Sequence, residues 1–427
     1  MRIRIQGGRL IDPANQIDKV SEIFIADGKI VGVDSTPTDF QSDRTIDAHN
    51  QIVCPGLIDL IASFREPGDE HKATIASESE AAVKGGLTTL CCPPNTTPII
   101  DTAAVAELIH QKAEHAGLVQ LLTIGALTQG LEGKHLSNMS SLKEAGCVGV
   151  GNALSPINNP VILRRAMEYA ATHNLTVFLH PEDHYLRDNG CVHEGPVSTR
   201  LGLPGIPVAA ETVAVARDLA LIEQTGVRAH FHRISSARAV QMISRAQYDG
   251  LAVTADVTAQ HLHLSEYDLS DFNSHCHVRP PFRSQRDQEG LAQGVAKNFI
   301  SAICSDHQPH EPDAKLKPFS ETEPGISALE SFLPLCLRLV HNDTMNMSDL
   351  ISRITYQPAQ ILGIDRGHLS VGSQADICIF DPETIWELEK DSMLSHGKNT
   401  PFLGWQLQGK VNYTLMHGQI VFEHNSR

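Results

Sequence analysis

From residue 56 to 365 the chain keeps a regular beat: a short apolar run, a loop, then a stretch with helical spacing. The runs begin near Leu57, Leu87, Val119, Cys147, Leu175, Ala229, Leu251 and Phe299. Leu87-Thr88-Thr89-Leu90-Cys91-Cys92 is nearly unbroken in apolar character, as expected for a strand covered on both faces. Val105, Leu108 and Ile109 stand at i, i+3 and i+4 with Gly117 behind them, which predicts an amphipathic helix. Stretches 210–225 and 238–249 end likewise at Gly226 and Gly250. Eight strand–helix steps over about 300 residues predict a (β/α)8 barrel of the TIM type.

Both ends of the chain read differently. Ile3 to Ile46 alternates apolar and polar residues, with turn signals at Gly7-Gly8 and Asp27-Gly28. Asp376–Asp381, Lys410–Leu415 and Gly418–Phe422 repeat the pattern at the far end. Neither end has enough strands to bury itself alone. The economical solution is a small composite β-sandwich built from 1–55 and 366–427, with the barrel of 56–365 inserted between them.

Charge and cysteine content narrow the partners. The formal charge of the 427 residues is −16, which opposes binding to a phosphate backbone or an anionic bilayer. No apolar run approaches the roughly 20 residues of a spanning helix. The amino terminus alternates charge and apolar residue instead of offering a secretory signal. Nine scattered cysteines without a C-x-x-C pair point to reduced thiols in a cytoplasmic protein, with Cys91 and Cys92 as small residues of a buried strand.

In such a barrel the chemistry belongs at the carboxyl ends of the strands. Asp59 to Gly68 follows the first strand and Pro93 to Pro98 the second. His180-Pro181-Glu182-Asp183 follows the fifth, and Ser305-Asp306-His307-Gln308-Pro309-His310 the eighth. Several of these segments are distinctive: Pro55-Gly56-Leu57-Ile58-Asp59, Arg65-Glu66-Pro67-Gly68, Pro94-Asn95-Thr96, Leu201 to Pro207, Asp306-x-x-Pro309-His310, Gly325-Ile326 with Leu329-Glu330, and Val371 to Asp376. Taken in order along the whole chain, they resemble the dihydroorotases of the amidohydrolase superfamily. The resemblance implies a zinc-bearing barrel and a composite sandwich.

It also implies a ligand set that this sequence largely lacks. The family holds zinc with a His-x-His pair after strand 1, a carboxylate or carboxylated lysine after strand 4, a histidine after each of strands 5 and 6, and an aspartate after strand 8. Here the pair falls on Ile61 and Ser63, the strand 4 position on Asn152 in Gly151-Asn152-Ala153, and the strand 6 histidine on Arg233. Only His180 and Asp306 remain, with Asp306 as the vestige of a general base. Zinc needs three or four ligands and an open position for water, so no cofactor is expected. His232 stands one residue from the expected ligand, and strand alternation aims it at the helix layer unless a bulge re-aims it. A permanently charged Arg233 would repel a metal. Two arrangements are open for Asp306: an ion pair with Arg233, or solvation and backbone capping.

The family's substrate carboxylate is held by residues that correspond to Arg65, Asn95 and His310, while its Asn-Pro-Pro segment reads Arg279-Pro280-Pro281. Those three either still form a clamp, or Arg65 turns to an internal pair and Asn95 to a turn cap. Among 22 histidines, His261 and His263 have strand spacing on one face and read as packed histidines, while His193 falls in a Gly-rich stretch, 187–205, read as a mobile loop, with His184 just ahead of it. Three functions follow. The resemblance is closest to non-catalytic dihydroorotase-like chains that partner the aspartate transcarbamoylase catalytic chain, which implies an assembly subunit of pyrimidine biosynthesis in a homo- or hetero-oligomer. The alternative is a cyclic amidohydrolase with a degenerate site, carrying zinc on His180, Asp306 and a re-aimed His232. A ligand sensor using the retained clamp is the third.

Overall fold

The computed structural model describes residues 1–424. Five strands open the chain: β1 (Ile3–Asp12), β2 (Ile17–Ala26), β3 (Lys29–Val33), β4 (Arg44–Asp47) and β5 (Ile52–Pro55). The barrel follows with β6 (Leu57–Asp59), β7 (Leu87–Cys92), β8 (Gln120–Ala126), β9 (Gly149–Gly151) and β10 (Thr176–Leu179). A short excursion pairs β11 (Val192–His193) with β12 (Gly205–Ile206). Then come β13 (Ala229–Phe231), β14 (Val253–Thr258) and β15 (Ala302–Cys304) of the barrel, and β16 (Ile377–Glu387), β17 (Gln406–Met416) and β18 (Gln419–Glu423) of the carboxyl end.

The eight barrel strands pair in parallel in the order β15-β14-β13-β10-β9-β8-β7-β6. Each begins within three residues of the expected start. The seam between β15 and β6 is closed beyond the strands: Ala62 bridges His307, and the Ser305 amide donates to Asp59 Oδ1 at 2.9 Å. Helices Ala103–Ala116, Val208–Thr225 and Ala237–Tyr248 lie close to the expected spans. Gly117 and Gly226 end two of them with left-handed backbone at φ 68° and 66°, where any Cβ is strained.

The terminal strands join as expected, but in one hydrogen-bonded piece. The order β18-β17-β16-β5-β1-β2-β3, with β4 also on β1, makes a single eight-stranded sheet instead of two separately paired layers. Alternate residues of both ends share its core, Ile3, Ile5, Ile23 and Ile25 meeting Ile377, Ile379 and Leu415. Inside the barrel Ile58, Cys91, Ile124, Phe178 and Cys304 pack together, and all nine cysteines are free and buried. The stretch 187–205, read as a loop, is organised by β11, β12 and helix Pro196–Leu201. Arg283 Nη1 reaches the buried His193 there and donates to Ile206 O at 2.6 Å. His261 and His263 lie beyond β14 on a 3-10 turn and its cap, not on the strand. Their Nε2 atoms meet Pro280 O at 3.2 Å and Leu335 O at 2.6 Å, so both are packed histidines.

Candidate functional site at the barrel mouth

Each mouth side chain is set by where its strand stops. β13 ends at Phe231, which packs outward into the helix-facing core. His230 and His232, two residues apart, therefore share the inward face, and Phe178 stacks on His232 with ring centroids 5.0 Å apart. This corrects the expectation that His232 faces the helices. That expectation counted alternation back from Arg233, and Arg233 is not on the strand. Its backbone is left-handed, φ 58°, which turns its side chain back into the mouth beside His232. No bulge is needed. His232 and Arg233 therefore both line the mouth.

Asp256 on β14 fixes that histidine. Its Oδ2 accepts from His232 Nδ1 at 2.6 Å and from His230 Nε2 at 3.0 Å, and its Oδ1 accepts the Arg233 amide at 2.5 Å. The two imidazoles and these donors hold the Asp256 carboxyl far below the usual carboxylate range against the opposing effect of burial. His230, His232 and Asp256 are the one set among the described residues with three such atoms gathered closely enough for an ion. Ring protons already fill the space between them, so the set works as a hydrogen-bonded support. With its Nδ1 proton on Asp256, His232 has its Nε2 lone pair free, and that atom is buried with no partner. Burial lowers His232 to about 4, so the ring is neutral at pH 7.

Arg233 Nη1 donates to Asp306 Oδ1 at 3.0 Å, with both side chains buried. Of the two arrangements open for Asp306, the structure shows the ion pair. Gln308 Nε2 donates to the same oxygen at 3.0 Å. Burial nevertheless pushes the Asp306 carboxyl up, Arg233 opposing. His180 makes no hydrogen bond, its Nε2 standing 3.8 Å from Glu182, and burial, with Arg233 and Arg279 adding to it and Glu182 opposing, lowers it to about 4.

The remaining ligand positions carry no donors for a metal. Ile61 lines the mouth as hydrocarbon. At strand 4 Ala153 lines the mouth, not Asn152. The Asn152 side chain turns away, accepting from Thr128 Oγ1 at 2.9 Å and donating to Leu131 O and Ser155 O. Two neutral imidazoles with free nitrogens suit zinc, but a carboxylate already neutralised by a guanidinium does not, and the other positions are apolar or small. The residues present do not fit the metal that the fold family implies.

The mouth is also filled. Ile61, Phe178, His180, His232 and Arg233 surround a cavity of about 10 Å³, room for about one water. Arg279 links the surrounding loops: Nε donates to Glu182 at 3.1 Å and Nη2 to Leu154 O at 3.0 Å, tying together the loops after β9, β10 and β14. Glu182 also takes Arg187 at 3.1 Å. Burial alone would raise the Glu182 carboxyl, but the His180 contact and Arg279 outweigh it and hold it at about 2. A depressed carboxylate contributes its stability fully above its unfolded value near 4.5 and loses it as pH falls toward about 2. Arg279→Ala is therefore expected to destabilise the fold by ~1–3 kcal/mol at pH 7. Most of that difference should vanish by about pH 2–3 in urea unfolding curves run across the pH range.

Of the three clamp residues, the structure brings Arg65 and His310 together. Arg65 Nε donates to Pro309 O at 2.9 Å, and its Nη2 lies 3.0 Å from His310 Nε2, which is itself 3.0 Å from Pro324 O. Asn95 stands exposed on the loop after β7. Arg65 is thus engaged by the Pro309 carbonyl and by His310, whose Nε2 faces both Arg65 and Pro324 O and whose Nδ1 stands 3.2 Å from Glu323. Sequence reasoning missed Phe178, Asp256 and the linking role of Arg279. The His230-x-His232 spacing on a strand was the one signal that could have exposed the first two.

The comparisons agree with this architecture. The family model described as dihydro-orotase-like matches residues 50–239. A dihydroorotase-like protein of Pseudomonas putida is 47% identical over 420 residues, covering 98% of this chain and 99% of that one. The chain belongs to the dihydroorotase-like family. A relative from Geobacter sp. (strain M21) named dihydroorotase is 40% identical over 423 residues, covering 99% of this chain and all of its own length. Among solved structures, the L-hydantoinase (dihydropyrimidinase) of Arthrobacter aurescens superposes with a TM-score of 0.88 at 23% identity, covering 99% of this chain and 96% of that one. It shares the amidohydrolase fold. No helix among the described residues is long and apolar enough to cross a membrane.

Proposed function

We propose that this dihydroorotase-like protein of pyrimidine biosynthesis does not hydrolyse dihydroorotate and serves as an assembly subunit for the aspartate transcarbamoylase catalytic chain. One observation carries the first half: the Arg233 guanidinium is paired with Asp306 where the family's chemistry needs a metal-bound water. A guanidinium donates hydrogen bonds but cannot lower the pKa of water as a divalent ion does. The filled mouth supports the same reading, since a cyclic amide needs far more than 10 Å³. The partner rests on the family resemblance of the sequence. A protein without turnover serves by its surfaces, and a sealed, ion-paired barrel is a rigid body on which to mount them.

The test is paired. After dialysis, the protein is expected to carry less than about 0.1 equivalent of zinc, and it should co-elute with the aspartate transcarbamoylase catalytic chain in size-exclusion chromatography. Zinc near one equivalent with dihydroorotate turnover would instead support the second reading, a cyclic amidohydrolase with a degenerate site. The free nitrogens of His180 and His232, and relatives named dihydroorotase at about 40% identity, are what favour that reading.

A further inference from the structure

In a chain of net charge −16, one cavity is walled by cations. It lies between the loop after β14, the segment after β15 and the crossing segment 390–403 that leads into β17, and it encloses about 260 Å³. Lys315, Lys390, Lys398, His275, His310 and His396 line it, and no carboxylate does. It is separate from the mouth: its lining shares no residue with the cavity around His180 and Arg233.

Several of these groups are fixed in place without a counter-ion. Lys315 Nζ donates to Glu323 O at 2.6 Å, and Lys398 Nζ donates to Met393 O and Ser395 O at 2.5 Å each. Those are neutral carbonyls, so both positive charges remain uncompensated by direct pairing. Lys390 is exposed and makes no ion pair among the described residues. His275 Nδ1 is buried without a partner. The nearby acids are engaged or stand outside the lining: the Glu323 carboxylate takes Lys72 at 2.5 Å and stands 3.2 Å from His310 Nδ1, Glu330 and Glu78 act on Lys398 but pair with Lys84 and His307 at 2.8 Å each, and Glu311 and Asp391 do not line the cavity. The cations also disfavour one another. Burial and the Arg65 charge bring Lys315 down to about 7 against the pull of Glu323, and burial with Lys315 and Lys390 lowers His275. An anion would relieve all of these at once.

We propose that this cavity binds a small, multiply charged anion, bearing phosphate or paired carboxylates, through Lys315, Lys390 and Lys398 with His275 as a further donor. Its volume lies below the range usual for drug-sized ligands, which selects a compact molecule. Occupation would tie the loops after β14 and β15 to segment 390–403 with charge-assisted hydrogen bonds.

The experiment is thermal unfolding of the full chain at pH 7, titrated separately with inorganic pyrophosphate and with malonate, sodium chloride holding ionic strength constant. A saturable rise in Tm of about 1–3 °C is expected for at least one of them. Lys390→Gln, at an exposed position, should leave the unliganded Tm unchanged and weaken the apparent Kd about 10-fold. A rise with pyrophosphate alone assigns a phosphate-bearing ligand, and a rise with malonate alone a dicarboxylate. No saturable rise with either, or a rise that Lys390→Gln leaves intact, overturns the site.

Discussion

Dihydroorotate mixed with the purified protein and saturating zinc is expected to hydrolyse at least about 10⁴-fold more slowly than with a metal-loaded member of the family. Two shortfalls combine. Opening a ring amide requires a nucleophilic water and a stabilised oxyanion, and a bound divalent ion supplies both at several kcal/mol each. Here the ion's place is held by Arg233, bonded to Asp306 at 3.0 Å. The second shortfall is space, because Phe178, Ile61 and Arg233 leave about 10 Å³. The order of repair follows from this. Ile61→His with Ser63→His adds two imidazoles but leaves the guanidinium, so zinc should still be lost on dialysis. Adding Arg233→Gly frees Asp306 and accepts the left-handed backbone at that position, and only this triple variant is expected to retain near-stoichiometric zinc. Zinc measured by atomic absorption after gel filtration checks the series. Zinc retention by the unaltered chain, with turnover, would remove the proposed loss of chemistry.

Arg233→Met is expected to destabilise the fold by ~3–5 kcal/mol at pH 8, because it leaves the buried Asp306 carboxylate without its cation. The sign of the pH effect is fixed by the direction of the shift. Burial already holds Asp306 above its ordinary value, so the folded state prefers the protonated acid, and stability is lost as pH rises through the folded pKa. Removing the guanidinium raises Asp306 further, so the loss deepens toward pH 8 and shrinks toward pH 5. Adding Asp306→Asn removes the charge and should recover most of the stability. Urea unfolding at the two pH values, on the single and double variants, separates this from a simple packing defect. A defect in packing alone would be independent of pH and unrelieved by Asp306→Asn.

Local pattern carried much of this. The eight apolar runs, the helix-ending glycines and the alternating termini are properties of short segments, and each strand began within three residues of its run. The losses at Ile61 and Ser63 were equally plain, because a histidine that is absent needs no geometry to be missed. The carboxylate clamp was less secure. Arg65 and His310 stand in the family's positions, yet they lie against each other and against the Pro309 and Pro324 carbonyls.

What the amino-acid order determined alone was the alternation of strand and helix and the joining of both termini in one β-rich unit. What only the fold decided was the direction of side chains past the ends of strands. β13 stops at Phe231, so the period of two that governs a strand no longer applies at Arg233, where φ 58° swings the guanidinium in beside His232. That His232 is aimed by Asp256, and that Arg233 meets Asp306 across 73 positions of sequence, depends on residues brought together by closure of the barrel. Periodicity is a short-range property of backbone geometry, and a site assembled from several strand ends is not.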